Sequence, residues 1–439
     1  VKFSEFNLDS RLSKGIQRAG YTQPTPIQEQ AIPVAIDGYD IIGTAQTGTG
    51  KTAAFVLPIL NKLLDGPRNQ SRALIVTPTR ELAEQIRETI VTLASGTSLR
   101  CVTVYGGVGS RPQIEALRRG AEIIVACPGR LLDLANQNAA RLNRIEMLVL
   151  DEADRMFDMG FLPDVKRIIQ LLPPKRQNML FSATFPKEVE DLAKSLLHNP
   201  KRVAVGISAP ANTVAHSLYP LPRHLKTQML LEMLKRSDAE SVLVFTRTKH
   251  RAQKVTRQLE REGYLATALH GNRTQSQRQS ALKGFRDGRY QVMVATDIAA
   301  RGLDIESIKL VINYDMPDTT DAYIHRIGRT GRAQRTGEAY TLVVTEDDRD
   351  MLRALERVMG KIESRKLDGF DYSAKAAPEV VAANEPRVKP SAAAQGRRPY
   401  PVPQGRKPSP GPQSRPGGSR SARKHRENDP YAKRLASYK

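Results

Sequence analysis

Two short stretches carry residue types suited to handling a polyphosphate. "AQTGTGKT", residues 45–52, follows the apolar "DIIGT" and precedes "AAFVLPILNKLL", which has the length and composition of a helix. Strand, glycine loop and helix in that order form a phosphate cradle. Gly48 and Gly50 free the backbone to turn its amides toward an anion, and the helix start adds its positive end. Ala45, Gln46, Thr47 and Thr49 complete the loop; Lys51 would reach the outer phosphates, and the Thr52 hydroxyl would help hold Mg²⁺. A strict phosphate-loop pattern has Gly where this chain has Ala45. The second stretch, "MLVLDEADRMFDMGF" at 147–161, ends an apolar run in Asp151, Glu152 and Asp154. At the end of a buried strand, Asp151 can hold a Mg²⁺ shell while Glu152 orients and deprotonates an attacking water. Alone, such acids would equally suit a solvated helix start, where they complement the dipole. The phosphate loop upstream makes nucleotide hydrolysis the better reading.

These groups need rigid elements to hold them. Apolar runs at 73–77, 101–105, 122–126, 147–151 and 178–183 alternate with amphipathic stretches such as "RELAEQIRETIVTLA", in which Leu82, Ile86 and Ile90 share a face. Unbroken Val- and Ile-rich runs indicate strands covered on both faces, the habit of parallel sheets. After a loop-like stretch at 206–217 the pattern repeats, with runs at 241–245, 264–270, 291–296, 309–314 and 338–344. The expected fold is α/β, two similar lobes with a ligand in the cleft between them. The boundaries read as a first domain over 1–207, a linker over 208–217, a second domain over 218–373 and a tail over 374–439. The tail carries 15 Lys and Arg against 4 Asp and Glu and is rich in Pro and Gly, so it is expected to be disordered and holds half of the net charge of +22.

Composition narrows the function further. With 68 Lys and Arg against 46 Asp and Glu, the 439-residue chain favours a polyanionic partner, nucleic acid being the commonest. No run approaches the roughly 18 apolar residues of a spanning helix. "VKFSEFNLDS" lacks a signal-peptide layout, so a cytoplasmic address is expected and a membrane role is not. Cys101 and Cys127 lie far apart in apolar runs and read as small core residues rather than metal ligands or a disulfide.

An ordered series of motifs from about Phe3 to Val344 resembles the DEAD-box ATP-dependent RNA helicases of superfamily 2, closest in wording to the bacterial RhlE-like branch. The resemblance implies two tandem RecA-like parallel-sheet domains, ATP and Mg²⁺ as cofactors, and RNA as partner. "GYTQPTPIQ" (20–28) resembles the adenine-reading Q motif, which implies that Gln28 bonds the adenine edge and Phe3 packs on the ring. "PTRELA" (78–83), "GG" (106–107) and "CPGR" (127–130) resemble first-lobe RNA contacts, implying roles for Arg80, Gly107 and Arg130. "SAT" (182–184) resembles the element that couples hydrolysis to strand separation, through Ser182 and Thr184 with Asp154. In the second lobe, "VFTRT", "QSQR" and "ATDIAARGLDI" resemble RNA and lobe-closure motifs and imply roles for Thr246, Gln275, Arg278 and Thr296, with Asp304 touching the ribose. "HRIGRTGR" (325–332) implies that Arg329 and Arg332 cross to the γ-phosphate and that His325 couples the sites. Cys127 departs from the family, which usually has Thr there.

The residues alone say less. Arg326, Arg329 and Arg332 are spaced by three, so on a helix they would share one broad face, either merely solvated or aimed at phosphate. "PTRELA" is equally a helix entrance, "SAT" and "GG" equally turns, and His325 equally a surface histidine. The expected mechanism is closure of two lobes around ATP and single-stranded RNA, coupling the two ligands positively; the family resemblance implies that closure also unwinds short duplexes locally. A DNA translocase and a non-enzymatic RNA clamp are the alternatives. The tail is either a solubilising extension or a basic RNA tether.

Overall fold

The computed structural model describes residues 1–45, 48–204, 214–300, 308–331 and 337–375. Gln46, Thr47, Asp304, Arg332, most of the expected linker and the tail beyond Lys375 lie outside these residues.

Seven strands form the first sheet: β1 (Ile41–Thr44), β2 (Ala73–Val76), β3 (Cys101–Val104), β4 (Ile123–Ala126), β5 (Met147–Leu150), β6 (Gln177–Ser182) and β7 (Lys201–Ala204). A second sheet holds β8 (Val214–Pro220), β9 (Val242–Phe245), β10 (Ala266–Leu269), β11 (Val292–Ala295), β12 (Leu310–Asn313), β13 (Gly337–Val343) and β14 (Glu363–Ser364). The spatial orders are β3-β4-β2-β5-β6-β1-β7 and β10-β11-β9-β12-β13-β8-β14, so each strand of one lobe has its counterpart seven places on. Every pairing described is parallel. The repeat seen in the apolar runs is therefore a repeat of topology.

Alternate residues along each strand enter different cores. In the first lobe, Ile75, Val125, Val149 and Phe181 join one apolar cluster, while Leu74, Ile124, Leu148 and Leu180 join the opposite one. Helices Pro26–Ile36, Lys51–Leu63 and Arg80–Leu93 cover the first face; Pro128–Asn136, Leu162–Gln170 and Lys187–Leu196 cover the second. A strand buried on both faces has no reason to alternate in polarity, which explains the continuous apolar runs. The second lobe repeats this, with Val244 and Val294 on one face and Phe245 and Ala295 on the other.

Three strands depart from the sequence reading, one of them the two-residue β14, whose Glu363 and Ser364 are both exposed. Residues 214–217, expected to be linker, are already strand in β8, which pairs with β13 along its length. In β7, among Lys201, Arg202, Val203 and Ala204, only Val203 is buried, so this edge strand has no apolar run to announce it. Cys127 is buried in the core, Cys101 is packed half-buried against it, and both are free thiols.

Candidate active site and nucleic-acid interface

The C-terminal ends of β1, β5 and β6 lie side by side and converge on one place. Helix Lys51–Leu63 starts right after the glycine loop, with Gly50 at φ 93°. A side chain at Gly50 would be strained by that angle, and its Cβ, 2.6 Å from Gln28 Nε2, would also displace that amide. Lys51 is buried and its Nζ donates across the loop to the Ala45 carbonyl at 2.8 Å. Thr52, half-buried, follows in the first helical turn. The Ala45 amide donates to the Ser182 carbonyl, tying the loop to the end of β6.

The acids expected to act together do so. Asp151 and Glu152 follow β5 and are both buried. Glu152 sits at φ 52°, ψ 54°, a left-handed conformation that costs a non-glycine residue about 1 kcal/mol or more and is concentrated at functional sites. Burial pushes the Asp151 carboxyl up to about 6, against the pull of Lys51. Burial also works to raise Glu152, but Arg155, Lys51 and Arg329 outweigh it and hold this carboxyl at about 2. Arg155 Nη1 lies 2.6 Å from Glu152 Oε2 in a buried ion pair. Asp154 faces the other way. Its Oδ2 accepts from the Ala183 amide at 3.1 Å, the Thr184 amide at 2.8 Å and Thr184 Oγ1 at 3.0 Å, while its own amide donates to Ser182 Oγ. The "SAT" turn is thus fastened to the acid cluster.

The second lobe supplies the opposite wall. One cleft is lined by Lys51, Glu152, Asp154, Arg155, Asp158 and Ala183 together with His325 and Arg329. Arg329 is buried, its Nε donates to the His325 carbonyl, and its charge reaches Glu152. The expectation of a shared arginine face is corrected here. The helix is Thr320–Ile327, so Arg329 lies beyond its end, and Arg326 points into the lobe. Arg326 is 2% exposed, makes a bidentate pair with Asp297 at 2.7 Å for each bond, donates to the Asp315 carbonyl and lies over Phe245.

The Q-motif residues sit next to the loop. Gln28 is buried, with Nε2 donating to the Gly50 carbonyl at 3.1 Å and Oε1 accepting from the Thr25 amide at 2.9 Å. Phe3 is buried, stacked on Tyr21 and edge-on to Phe6. Three of the RNA candidates come together at the ends of β2, β3 and β4. A Cβ on Gly107 (φ 77°) would lie 1.9 Å from Arg80 Nη1, so the guanidinium rests directly on a bare backbone. Arg130 Nη1 donates to the adjacent Val108 carbonyl at 3.1 Å. The second-lobe candidates are placed differently. Gln275 Nε2 and Arg278 Nη2 both reach the buried Glu81, at 3.1 and 3.0 Å, spanning the two lobes. Thr246 is fully buried with its hydroxyl on the Thr248 carbonyl, and Thr296 is half-buried at the end of β11.

Comparisons with known proteins agree with this arrangement. The model of the DEAD/DEAH box helicase domain matches residues 25–192, and that of the helicase conserved C-terminal domain matches residues 225–334. A DEAD-box ATP-dependent RNA helicase CshA of Bacillus licheniformis is 41% identical over 84% of this chain and 76% of its own length. The chain belongs to the DEAD-box helicase family. DEAD-box ATP-dependent RNA helicase 30 of Arabidopsis thaliana is 44% identical over 81% of this chain, which spans 61% of that relative's length. Among solved structures, S. cerevisiae Dbp5 bound to RNA and ADP BeF3 superposes with a TM-score of 0.75 at 32% identity, over 83% of this chain and 95% of that one. Glu81 and Arg155 are the residues that sequence reasoning missed in this family member. Arg155 had a signal, the i,i+3 spacing from Glu152. Glu81 had none, because its partners lie 194 residues and more away.

Proposed function

We propose that the chain is an RNA-dependent ATPase that grips single-stranded RNA, largely irrespective of sequence, and separates short RNA duplexes as its two lobes close on ATP. The supporting observation is the cleft in which Lys51 and Glu152 of one lobe face Arg329 and His325 of the other. Charge develops on the γ-phosphate during transfer, and a cation delivered by closure is worth roughly a thousandfold or more. Lys51, Gly48, Gly50 and Thr49 hold the phosphates, with Gln46 and Thr47 beside them, Asp304 on the ribose and Arg332 joining Arg329 at the γ-phosphate; Gln28 reads adenine from beside Gly50. Oxygen donors from Thr52 and Asp151 fit a Mg²⁺ site, since this ion takes one or two protein oxygens plus substrate phosphates rather than a full protein cage. When bound, Mg²⁺ neutralises charge on the phosphate oxygens. Held at about 2, Glu152 stays ionised at neutral pH and serves more to orient the attacking water than to keep its proton.

Arg80, Gly107, Arg130 and Thr296 form the RNA track, with backbone groups carrying part of the grip, while the fully buried Thr246 supports the track from beneath through its hydroxyl on the Thr248 carbonyl. Gln275 and Arg278 act chiefly as the latch that closes the lobes over it. Asp154, Ser182, Thr184 and His325 link the two sites. The division into two domains, with the second beginning at Val214 rather than after residue 217, the basic tail as an RNA tether and the cytoplasmic address belong to the same proposal. The test is strand separation of a short RNA duplex with a single-stranded overhang, followed by fluorescence. Separation that needs ATP supports the proposal, and its absence at any ATP concentration, in a chain that hydrolyses ATP, would reduce it to a clamp.

A further inference from the structure

Helix Lys249–Arg261 has a charge pattern that the ATP site and the clamp do not use. From Arg247 to Gln258 the chain carries five cations and no acid; Glu260 and Glu262 come only at the far end. Ala252, Val255, Thr256 and Leu259 turn inward and are buried. His250, Lys254, Arg257 and Arg261, spaced by four, three and four, are all exposed and form one outward stripe. Arg247 and Arg251 are ion-paired, with Asp318 and Asp315. Lys249, Lys254, Arg257 and Arg261 have no ion-pair partner among the described residues. A charge run with no acid to neutralise it is a standing attraction for a polyanion.

Its position says which polyanion. The helix is capped by Thr248, whose Oγ1 accepts from the Arg251 amide, so it begins where the candidate RNA segment Thr246–Thr248 ends. At about 1.5 Å per residue it carries the stripe roughly 20 Å down the side of the lobe, away from the clamp. The described chain also ends near its head. His224 Nε2 donates to the Ala374 carbonyl, and Lys226, two residues on, shares Asp315 with Arg251. Residues 376–439, which follow, add 14 Lys and Arg against 4 Asp and Glu.

We propose that the outer face of helix Lys249–Arg261 is a second RNA-binding surface, holding the phosphates of strand that extends past the clamp. This rests on the proposed RNA-clamping function and adds to it a track outside the cleft. The test uses the full chain, a K254Q/R257Q/R261Q variant and a charge-keeping R257K/R261K variant, with RNA just long enough to fill the clamp and RNA several times longer. Three lost phosphate contacts to a single strand should flatten the log–log salt dependence for long RNA by about 2, so a fourfold rise in salt costs the unaltered chain roughly 15- to 20-fold more affinity than the Gln variant. Short-RNA affinity should stay the same, and the Lys variant should match the unaltered chain. Equal salt slopes for all three chains on long RNA would overturn the inference, as would a Gln variant that weakens short and long RNA alike. If the unaltered chain binds neither RNA, the clamp reading itself fails and takes the inference with it.

Discussion

Glu81 is where a single substitution should separate binding from closure. Its carboxylate is buried and receives Gln275 Nε2 at 3.1 Å and Arg278 Nη2 at 3.0 Å from the other lobe. In Glu81→Gln, Gln275 can keep an acceptor, but Arg278, whose side chain is 12% exposed, is left without its counter-charge at the interface. Removing one partner of a buried pair costs about 3–5 kcal/mol; because Arg278 regains water when the lobes part, the lower end, about 3 kcal/mol, applies and falls on the closed form alone. At 1.4 kcal/mol per decade that shifts closure by about 150-fold. Steady-state ATPase assays across RNA concentrations should show the apparent affinity for RNA dropping by about that factor, while ATP binding without RNA and thermal unfolding of the separate lobes change little. An RNA affinity within twofold of the unaltered chain would refute the latch. A large fall in thermal stability with unchanged closure would make Glu81 an ordinary fold residue.

The other expectations follow from the same geometry. Asp154→Ala strips acceptors from Ala183 and Thr184 and should cost the fold about 2 kcal/mol; unwinding should fall more steeply than ATP hydrolysis when both are measured on the same preparation. Asp151 has a folded pKa of about 6, above its ordinary 3.8, so the metal-free fold holds that proton more tightly than the unfolded chain. Its contribution to stability is therefore lost as pH rises from about 4 to 6, and chemical denaturation in chelator should show this slope missing in Asp151→Asn. With Mg²⁺ the sign reverses, because protons compete for the carboxylate: below pH 6 the Mg²⁺ affinity in the ATP complex, read by titration, should fall by up to about tenfold per unit. Truncation after Lys375 should weaken RNA binding and flatten its salt dependence while leaving ATP hydrolysis at saturating RNA intact; an unchanged salt series would make the tail a solubilising extension.

Much of the fold was legible because each interior strand feeds two cores, so Ile123–Ala126 or Val242–Phe245 stands out as an unbroken apolar run. β7 was not legible, since an edge strand with only Val203 buried has nothing to distinguish it, and β8 was hidden in a stretch that reads as loop. At the site, the phosphate loop could be read because its backbone angles favour glycine, and the acids because they follow directly on a buried apolar strand downstream of that loop. The arginine series misled because spacing by three implies a helical face only if the helix continues, and this one stops at Ile327 before Gly328. Contacts made by closure, such as Glu81 with Gln275 and Arg278, depend on how two lobes dock, which no local pattern encodes. The same holds for Arg326, whose charge marks it as surface until Asp297 is seen to meet it inside the lobe.

The central claim is that Glu152 and, across the cleft, Arg329 form an ATPase that RNA switches on. The direct measurement is steady-state ATP hydrolysis by the full chain without nucleic acid, with single-stranded RNA and with single-stranded DNA of the same sequence, alongside Glu152→Gln. The account predicts strong stimulation by RNA alone and its loss in the variant. Equal stimulation by DNA, or hydrolysis indifferent to nucleic acid, would contradict it.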